Sequence, residues 1–331
     1  MKTSLILTGL LVVATTDFAC NAKSDKNTAL HMYTNPVCPK SLPDPTVIED
    51  NGVFYLYATE DIANVPILRS VDLVNWEQCG SVFSKSNRPA FVEGGGIWAP
   101  DINYVGDHYL LYYSMSVWGG EWACGIGVAE SETPEGPWVD RGKLFVSSEI
   151  EVQNSIDPFY IEDDGKKYLF WGSFRGIYSI ELSDDGLSVR PGAKKRQIAG
   201  RAFEATYIHK RDKYFYLFAS IGKWCEQMNC TYSLVGGRSE NLLGPYVDRN
   251  GKPMLDNGYE MLLSGNDRFA GPGHNAEIIT DAQGTDWLLY HSYWIHRPGN
   301  RTLMLDRIIW EEGWPRINDG YPSDSAPVPC L

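Results

Sequence analysis

The chain has 331 residues, and its 42 acidic against 29 basic residues give a formal net charge of −13. The carboxylates are scattered through predicted turns, and such a surface repels phosphate backbones, so nucleic acid is excluded as a partner. After the N-terminal segment about 300 residues remain, enough for one large all-β domain or two ordinary ones. No proline-rich or serine-rich linker divides them, which favours one domain.

The N-terminal segment has the pattern of a secretory signal. Lys2 precedes an apolar run, Leu5 to Val13, which is too short to span a bilayer and is followed by small residues up to Cys20. Cys20 is a candidate lipid-modified residue of a bacterial lipoprotein, and simple cleavage nearby is the alternative. We therefore expect an exported bacterial protein, in the periplasm or on the cell surface. Any attachment to a membrane would be through a lipid on Cys20. The predicted parts are a signal peptide (1–19), a flexible leader (20–33) and a folded domain (34–331).

The rest of the sequence repeats one pattern five times. Short runs rich in tyrosine, phenylalanine, tryptophan and valine are separated by Asp-Gly, Asn-Gly and Gly-Asp turns, as in hairpin-linked strands. Intervals of roughly 50 to 70 residues between such units indicate a radially repeated sheet. The sequence therefore predicts an all-β fold, a five-bladed β-propeller. When the units are aligned on the aromatic strand, the residues that fall level are Asp44, Ala99, Asp157, Glu204 and His274.

Three carboxylates are candidates for chemistry, because level positions of a closed ring converge at one end of its channel. Asp44 and Asp157 each precede a proline, which fixes the backbone and confines the segment to a sheet edge or a rim; singly, each is more typical of a turn. Glu204 has apolar neighbours, which would desolvate its carboxyl group and raise its pKa, as a proton donor requires. An acid and a carboxylate on opposite sides of a site meet the demands of inverting glycoside hydrolysis.

Five short motifs carry a family resemblance. In order they are PDP at 43–45, WAPDI at 98–102, SIDP at 155–158, FEATYI around Glu204 and GPGHN at 271–275. With these motifs the chain resembles glycoside hydrolase family 43, five-bladed propellers that attack arabinan, xylan and related plant polymers, from about residue 34 to 317. The resemblance implies that Asp44 is the general base and Glu204 the general acid. It also implies that Asp157 orients the acid and tunes its pKa.

Sugar rings expose C–H faces that pack on aromatic side chains, so tryptophans are candidates for the substrate site. Trp98, next to Ala99, is predicted to form the main platform. The resemblance further implies that Asn154, Ser173 and Phe174 touch the sugar at the cleaved position, and that Arg301 lies near the same pocket. Further tryptophans that could line the cleft, or equally belong to the core, are Trp118, Trp122, Trp224 and Trp294.

His274 is the candidate metal contact. The resemblance implies a histidine on the channel axis that contacts a calcium or another ion largely through water, whereas a lone histidine is more often a hydrogen-bonded core residue. Calcium prefers six to eight oxygen ligands, and beyond His274 the sequence suggests no dedicated cage. Organic cofactors are not expected.

Six cysteines follow Cys20. Cys38 and Cys330 lie near the two ends of the predicted ring, so a disulfide between them is one hypothesis for its closure. Cys225 and Cys230 have no second pair at metal-binding spacing, which argues against zinc.

The substrate class follows from the resemblance alone. Residues 224–254 are similar to the arabinanase branch of the family, although Thr206 stands where those enzymes usually have proline and the loop 225–230 differs. We therefore expect a plant cell-wall polysaccharide or oligosaccharide as partner, arabinan first, with endo or exo action open. The alternatives are a β-xylosidase or galactan-directed hydrolase on the same fold, or a glycan-binding propeller without catalysis. No serine or cysteine has the surroundings of a peptidase or esterase nucleophile.

Overall fold

The computed structural model describes residues 31–223 and 227–331. From Met32 to Leu331 the chain forms one compact unit of antiparallel strands arranged in five blades, the β-propeller that the repeats predict. Helical structure in the described residues is confined to α1 (Ser147–Ile150) and two 3-10 turns, Gln227–Asn229 and Met254–Asp256. Within the same part of the chain, no helix has the length and apolar character needed to cross a bilayer.

The blades follow one another along the chain. After β1 (Met32–Thr34), blade 1 contains β2 (Thr46–Asp50), β3 (Val53–Tyr57), β4 (Pro66–Ser70) and β5 (Glu77–Ser81). Blade 2 contains β6 (Gly96–Val105), β7 (His108–Ser116), β8 (Gly125–Ser131) and β9 (Val139–Val146). Blade 3 contains β10 (Phe159–Asp163), β11 (Lys166–Trp171), β12 (Ile177–Glu181) and β13 (Arg196–Ala199).

Blade 4 contains β14 (Glu204–Arg211), β15 (Tyr214–Ile221), β16 (Ser233–Ser239) and β17 (Glu260–Leu263). In blade 5 the inner edge is split into β18 (Phe269–Gly273) and β19 (Ile278–Thr280), which both pair with β20 (Asp286–Trp294). The blade continues with β21 (Arg301–Glu311) and β22 (Trp314–Ile317), and β23 (Ser325–Pro327) comes last.

The predicted turn residues make the hairpins of the inner strands. Asn51 and Gly52, between β2 and β3, have φ values of 51° and 78°. Asp164 and Gly165, between β10 and β11, have φ values of 49° and 69°. Two consecutive positive φ angles belong to the turn whose twist matches that of paired strands, and Asn-Gly and Asp-Gly tolerate them best.

The apolar core lies between neighbouring blades. Tyr57 and Ile67 of blade 1, for example, belong to the same buried cluster as Tyr109 and Tyr113 of blade 2. Tyr112 of blade 2 stacks on Tyr160 of blade 3, with ring centroids 5.7 Å apart. Since each blade covers its faces with the next one, the blades need a closed ring to bury their apolar surface.

Backbone hydrogen bonds close the ring, and the hypothesis of a Cys38–Cys330 disulfide is wrong. β1 pairs antiparallel with β23, and Cys38 exchanges two backbone hydrogen bonds with Leu303 of β21. The Asn35 amide donates to the carbonyl of Leu305 at 2.9 Å and accepts from its N–H at 3.0 Å. Among the described cysteines, Cys38 is a buried free thiol and Cys330 an exposed one.

Candidate active site

One residue at the inner rim of each blade has a left-handed backbone. None of the five is glycine, and non-glycine residues in this region carry strain that concentrates at functional sites. In four blades they are the residues that the repeat alignment predicts to be level, and in blade 4 the residue is Ala205. The φ angles are 54° for Asp44, 42° for Ala99, 59° for Asp157, 61° for Ala205 and 46° for His274.

The prediction that Glu204 is level with Asp44 and Asp157 is therefore wrong by one residue. Glu204 pairs with Ser220 just before a bulge, as Trp98 pairs with Ser114 in blade 2. The same bulge occurs in both blades, and Ala205 precedes Ser220 by as many residues as Ala99 precedes Ser114, so the spacing to the second strand reveals the shift. Glu204 thus occupies the position of Trp98, immediately before the left-handed residue.

Hydrogen bonds between blades fix these left-handed residues. The N–H of Ala99 donates to Thr59 Oγ1 of blade 1 at 2.7 Å. In the same way, Asp157 N–H donates to Ser114 Oγ of blade 2 at 2.8 Å. The two other bonds of this kind join Asp44 N–H to His291 Nδ1 at 3.0 Å and His274 N–H to Ser220 Oγ at 2.9 Å.

Blade 4 departs from this rule. Gly172 of blade 3 occupies the position that holds the acceptor side chain in the other blades, because its N–H donates to the carbonyl of Ile156, the residue before Asp157. Glycine has no side chain that could accept the N–H of Ala205. A Cβ at Gly172 would lie 2.2 Å from the carbonyl oxygen of Gly176, so only glycine fits. The backbone of Ala205 instead acts on the Asp157 carboxyl group, whose pKa it lowers as the smallest of the named causes. Asp157 is therefore tied to the residue that follows Glu204.

The nine residues predicted for the site line one cavity of about 420 Å³. This volume is in the range of small-molecule sites, and its walls come from all five blades. The three carboxylates are 6 to 8% exposed, so they reach the cavity from a mostly dry rim. The nine residues are Asp44, Trp98, Asn154, Asp157, Ser173, Phe174, Glu204, His274 and Arg301.

Asp44 is surrounded by donors. Arg301 Nη1 and His274 Nδ1 each lie 3.1 Å from Asp44 Oδ1, and Thr59 Oγ1 donates to Oδ2 at 2.6 Å. Burial alone would raise the pKa of this carboxyl group, but the charges of Arg301 and His274 outweigh it and hold the pKa well below its usual value. Asp44 is therefore ionised at neutral pH.

His291 contacts Asp44 as a neutral group. Its Nδ1 accepts the Asp44 N–H, so the ring proton is on Nε2, and burial holds its pKa well below the ordinary value. The 3.4 Å approach of His291 Nδ1 to Asp44 Oδ1 is consequently not an ion pair. His274 differs, because the adjacent carboxylates outweigh its burial and raise its pKa.

The pKa values of Glu204 and Asp157 are both raised. Burial is the largest cause for each, and it raises the pKa of Asp157 to about 8, with further contributions from the charges of Glu204 and Asp44. The pKa of Glu204 is raised by burial and lowered in part by hydrogen bonds from Ser173 and Tyr232. Ser173 Oγ donates to Glu204 Oε2 at 2.6 Å. The predicted apolar setting of Glu204 thus contains two hydroxyl groups.

The described residues do not provide a ligand cage for a metal ion. They contain no group of three or more histidine, cysteine, aspartate or glutamate side chains placed to hold one. His274 uses Nδ1 for Asp44. A calcium ion near His274 would have to be held largely by water, and it stays a prediction.

The tryptophan predictions have different outcomes. Trp98 lines the cavity and packs against Trp118, with ring centroids 5.4 Å apart. Trp118 also lines the cavity and is 72% exposed. Among the described cavity-lining residues, Trp122 and Trp294 do not appear. Trp224, like Cys225, lies outside the described residues.

Sequence reasoning missed several residues of the site. Thr59 and His291 hydrogen-bond to Asp44, and Thr59 and Tyr232 line the cavity. The one sequence signal that could have identified them is their position, because each lies at the end of the second strand of a blade or after it. That part of the blade faces the inner rim. Nothing in their local sequence separates them from core residues.

Comparisons with known proteins agree with this geometry. A family model described as glycosyl hydrolases family 43 matches residues 33–315. The chain is 34% identical over 290 residues to extracellular endo-α-(1->5)-L-arabinanase 1 of Bacillus subtilis, covering 83% of this chain and 87% of that protein. It is 32% identical over 306 residues to extracellular exo-α-(1->5)-L-arabinofuranosidase ArbA of Cellvibrio japonicus, covering 83% and 86%. A solved structure of Cellvibrio cellulosa α-L-arabinanase complexed with arabinohexaose superposes with a TM-score of 0.78 at 31% identity, over 86% of this chain and 98% of that one.

Proposed function

The chain belongs to glycosyl hydrolase family 43, an inverting family, and from this premise we propose that it hydrolyses α-1,5-L-arabinofuranosidic bonds in arabinan. The relatives named above act on such bonds by name, or were solved with arabinohexaose. The observation that carries the proposal is that three carboxyl groups from three blades line one cavity.

In the proposed reaction Glu204 is the general acid. Burial raises the pKa of its carboxyl group above the ordinary value, which favours the protonated acid, and this proton passes to the glycosidic oxygen as the bond to the anomeric carbon breaks. Because the carboxyl group is buried, the charge that it acquires develops in a dry site where hydroxyl donors act strongly.

Asp44 is the proposed general base. Its charge is maintained by Arg301 and His274, and it takes a proton from the water whose oxygen bonds to the anomeric carbon from the opposite face. The products are a new reducing sugar and a free hydroxyl on the leaving unit, with inverted configuration. Asp157 is the proposed modulator, since it lines the same cavity as the acid and since the charge of Glu204 raises the pKa of its carboxyl group.

Digestion of linear arabinan, xylan and galactan tests the substrate. Release of sugars from arabinan alone supports the proposal. Release of sugars from xylan or galactan, without turnover of arabinan, would replace it with one of the alternatives on the same fold. A ladder of early products indicates internal cleavage, whereas short products alone indicate attack from an end. The NMR signal of the first anomer formed tests inversion.

The variant Glu204→Gln tests catalysis against simple glycan binding. Loss of the acid should lower turnover by roughly 10²- to 10⁴-fold while oligosaccharide affinity survives. Glu240→Gln, an exposed glutamate of the same blade that pairs with Lys213, is the matched control and should retain full turnover. Equal turnover in both variants would remove Glu204 from its proposed role.

We also propose that the protein is exported. The pattern of residues 1–19 and the names of the two extracellular relatives support this. The pattern itself, the leader and the lipid site at Cys20 lie outside the described residues, and lipidation stays a prediction. A calcium ion near His274 likewise remains a proposal, and no step above depends on it.

A further inference from the structure

We propose that Thr59 is a positioning residue for the general base, and that it leaves Oδ2 of Asp44 as the oxygen that takes a proton from the attacking water. This inference rests on the proposed function. Thr59 lies just after β3, is 4% exposed and lines the cavity. Its hydroxyl group donates to Asp44 Oδ2 at 2.6 Å.

The neighbours of the Thr59 hydroxyl group fix the direction in which it donates. A backbone N–H can only donate, and that of Ala99 in blade 2 donates to Thr59 Oγ1 at 2.7 Å. An ionised carboxylate can only accept, so the one proton of the hydroxyl group must point at Asp44. Both contacts therefore require the same orientation of the hydroxyl group.

The backbone of blade 1 holds Thr59 against the base. The Thr59 N–H donates to the carbonyl of Pro43, the residue before Asp44, at 2.9 Å. The Thr59 carbonyl accepts the Asp61 N–H at 2.8 Å. Threonine is branched at Cβ and has few rotamers, so these bonds and the Ala99 bond fix the hydroxyl group before a substrate binds.

The two oxygens of Asp44 have different partners. Arg301 Nη1 and His274 Nδ1 each lie 3.1 Å from Oδ1, and two donors occupy both lone pairs of one carboxylate oxygen. Among the hydrogen bonds of the described residues, Oδ2 receives that of the Thr59 hydroxyl group alone. Oδ2 therefore keeps one lone pair, which is the position at which the base can take a proton.

A donor on each oxygen sets the plane of the carboxylate. The Cβ–Cγ torsion of aspartate is broad, so a carboxylate held at Oδ1 alone can turn about that oxygen and carry Oδ2 away from the water. The Thr59 hydroxyl group opposes this rotation. Correct orientation of the reacting groups supplies a large share of an enzyme's rate, and here the orienting group is already ordered.

The proposed step balances in atoms and charge. The attacking water loses one proton to Asp44 Oδ2 while its oxygen bonds to the anomeric carbon. The leaving oxygen takes the proton of Glu204 and keeps the electron pair of the broken bond. Asp44 ends neutral and Glu204 ends ionised, and proton exchange with solvent restores both.

The test compares Thr59→Val with Thr46→Val. Thr46 is a buried threonine of the same blade, and its Oγ1 also accepts a blade 2 N–H, that of Ile102 at 3.1 Å. It also donates to a carboxyl group, at 2.8 Å from Glu277 Oε1, but it does not appear among the described cavity-lining residues. Both changes remove one hydroxyl group with the same two kinds of hydrogen bond, so both should lower stability by a similar amount.

Only Thr59→Val should lower kcat on arabino-oligosaccharides, by about ten- to fiftyfold. KM should stay within about twofold of the wild-type value, because the sugar binds as before and only the base is misaligned. Thr59→Ala, a second variant without the hydroxyl group, should show the same loss. Thr59→Ser keeps the hydroxyl group and should return kcat to within about threefold of the wild type.

Four results would overturn the inference. They are equal kcat in Thr59→Val and the wild type, an equal loss of kcat in Thr46→Val, and a loss that Thr59→Ser does not restore. The fourth is a rise in KM at unchanged kcat, because Thr59 would then be a sugar contact.

A second measurement does not require turnover. The infrared band of the Asp44 carboxylate, assigned by its absence in Asp44→Asn, should shift in Thr59→Val, because one carboxylate oxygen loses its donor. The band should stay in place in Thr46→Val. An unshifted band in Thr59→Val overturns the inference even if the wild type cleaves arabinan. A shifted band in a protein inactive on arabinan would keep the Thr59 contact and reject the proposed substrate.

Discussion

The guanidinium of Arg301 lies 3.1 Å from Asp44 Oδ1, and His274 Nδ1 approaches the same oxygen at the same distance. Two cationic partners on one oxygen keep the proposed base ionised in a site that is otherwise nearly dry. The same contacts make Asp44 a weaker proton acceptor. Arg301 thus acts on the base directly, in addition to any contact that it makes with sugar.

Replacing Arg301 with methionine should move the pH profile. Removal of a positive charge raises the pKa of Asp44, and the base must be ionised to work, so the acidic limb of kcat/KM should shift to higher pH by about one unit. The measurement is kcat/KM on arabino-oligosaccharide from pH 3 to 9. Arg69→Met, which loses exposed contacts to Glu77 and Glu135, should leave the limb in place. A uniform loss of activity with an unmoved limb would show that Arg301 serves substrate binding alone.

The sequence was sufficient to predict the propeller and the carboxylates, because both depend on local patterns. Asp-Pro at 44 and at 157 repeats in sequence, and so does the alternation of each inner strand. The position of Glu204 within its repeat was also predictable from spacing, since Ala205 precedes Ser220 by as many residues as Ala99 precedes Ser114.

Contacts between blades, in contrast, were hidden in the sequence. His291 meets Asp44 across 247 residues of sequence, and its role depends on a backbone N–H that any residue would supply. Tyr232 lines the same cavity as Glu204 from a loop after the second strand of the blade, where a tyrosine is as typical of the core. Such residues become visible only when the ring brings the blades together.

Gly172 should be sensitive to substitution by alanine. It has a φ of +130°, and a Cβ there would lie 2.2 Å from the Gly176 carbonyl oxygen, so the backbone must move next to Ser173 and Phe174. We expect a loss of about 2 to 4 kcal/mol in the free energy of unfolding, measured by urea titration, and a lower kcat. At Gly192, where φ is +81° and nothing lies within 4 Å, the same change should cost about 1 kcal/mol. Equal losses at the two sites would contradict the steric argument.

The three tryptophans near the cleft should differ in their effect on substrate binding. Trp98→Ala should lower kcat/KM on arabino-oligosaccharides by about ten- to hundredfold, because a ring that lines the cavity loses its contact with sugar. Trp118→Ala should raise KM by about two- to tenfold, since this ring is 72% exposed. Trp122→Ala, an exposed ring that is not among the described lining residues, is the control and should change neither constant. An equal effect of all three changes would place the sugar outside the cavity.

A second carboxyl pair lies away from the catalytic groups, where blades 2 and 5 approach each other. Asp101 and Glu277 hydrogen-bond to one another. Burial is the largest cause of the shifts, and it raises the pKa of Glu277 to about 7. Burial also raises the pKa of Asp101 well above its usual value, and the charge of Glu277 raises it further. Asp101 Oδ2 accepts the Tyr160 N–H at 2.8 Å, and Glu277 Oε1 accepts the Thr46 hydroxyl at 2.8 Å. The pair therefore shares a proton that the unfolded chain releases near its ordinary carboxyl pKa.

Replacing Asp101 with asparagine should remove this pH dependence of stability. In the wild type the folded pKa values are raised, so the stabilisation is complete below the unfolded pKa of about 4 and is lost as pH rises through about 7. Asparagine keeps an oxygen for the Tyr160 N–H and offers an N–H to Glu277, as a protonated aspartate does. We expect Asp101→Asn to match the wild type at pH 5 and to exceed it by about 1 to 3 kcal/mol at pH 9, measured by urea unfolding. The control is Asp256→Asn, at an exposed carboxyl group, which should show the wild-type dependence of unfolding free energy on pH. If Asp101→Asn also showed the wild-type dependence, the pair would hold no shared proton.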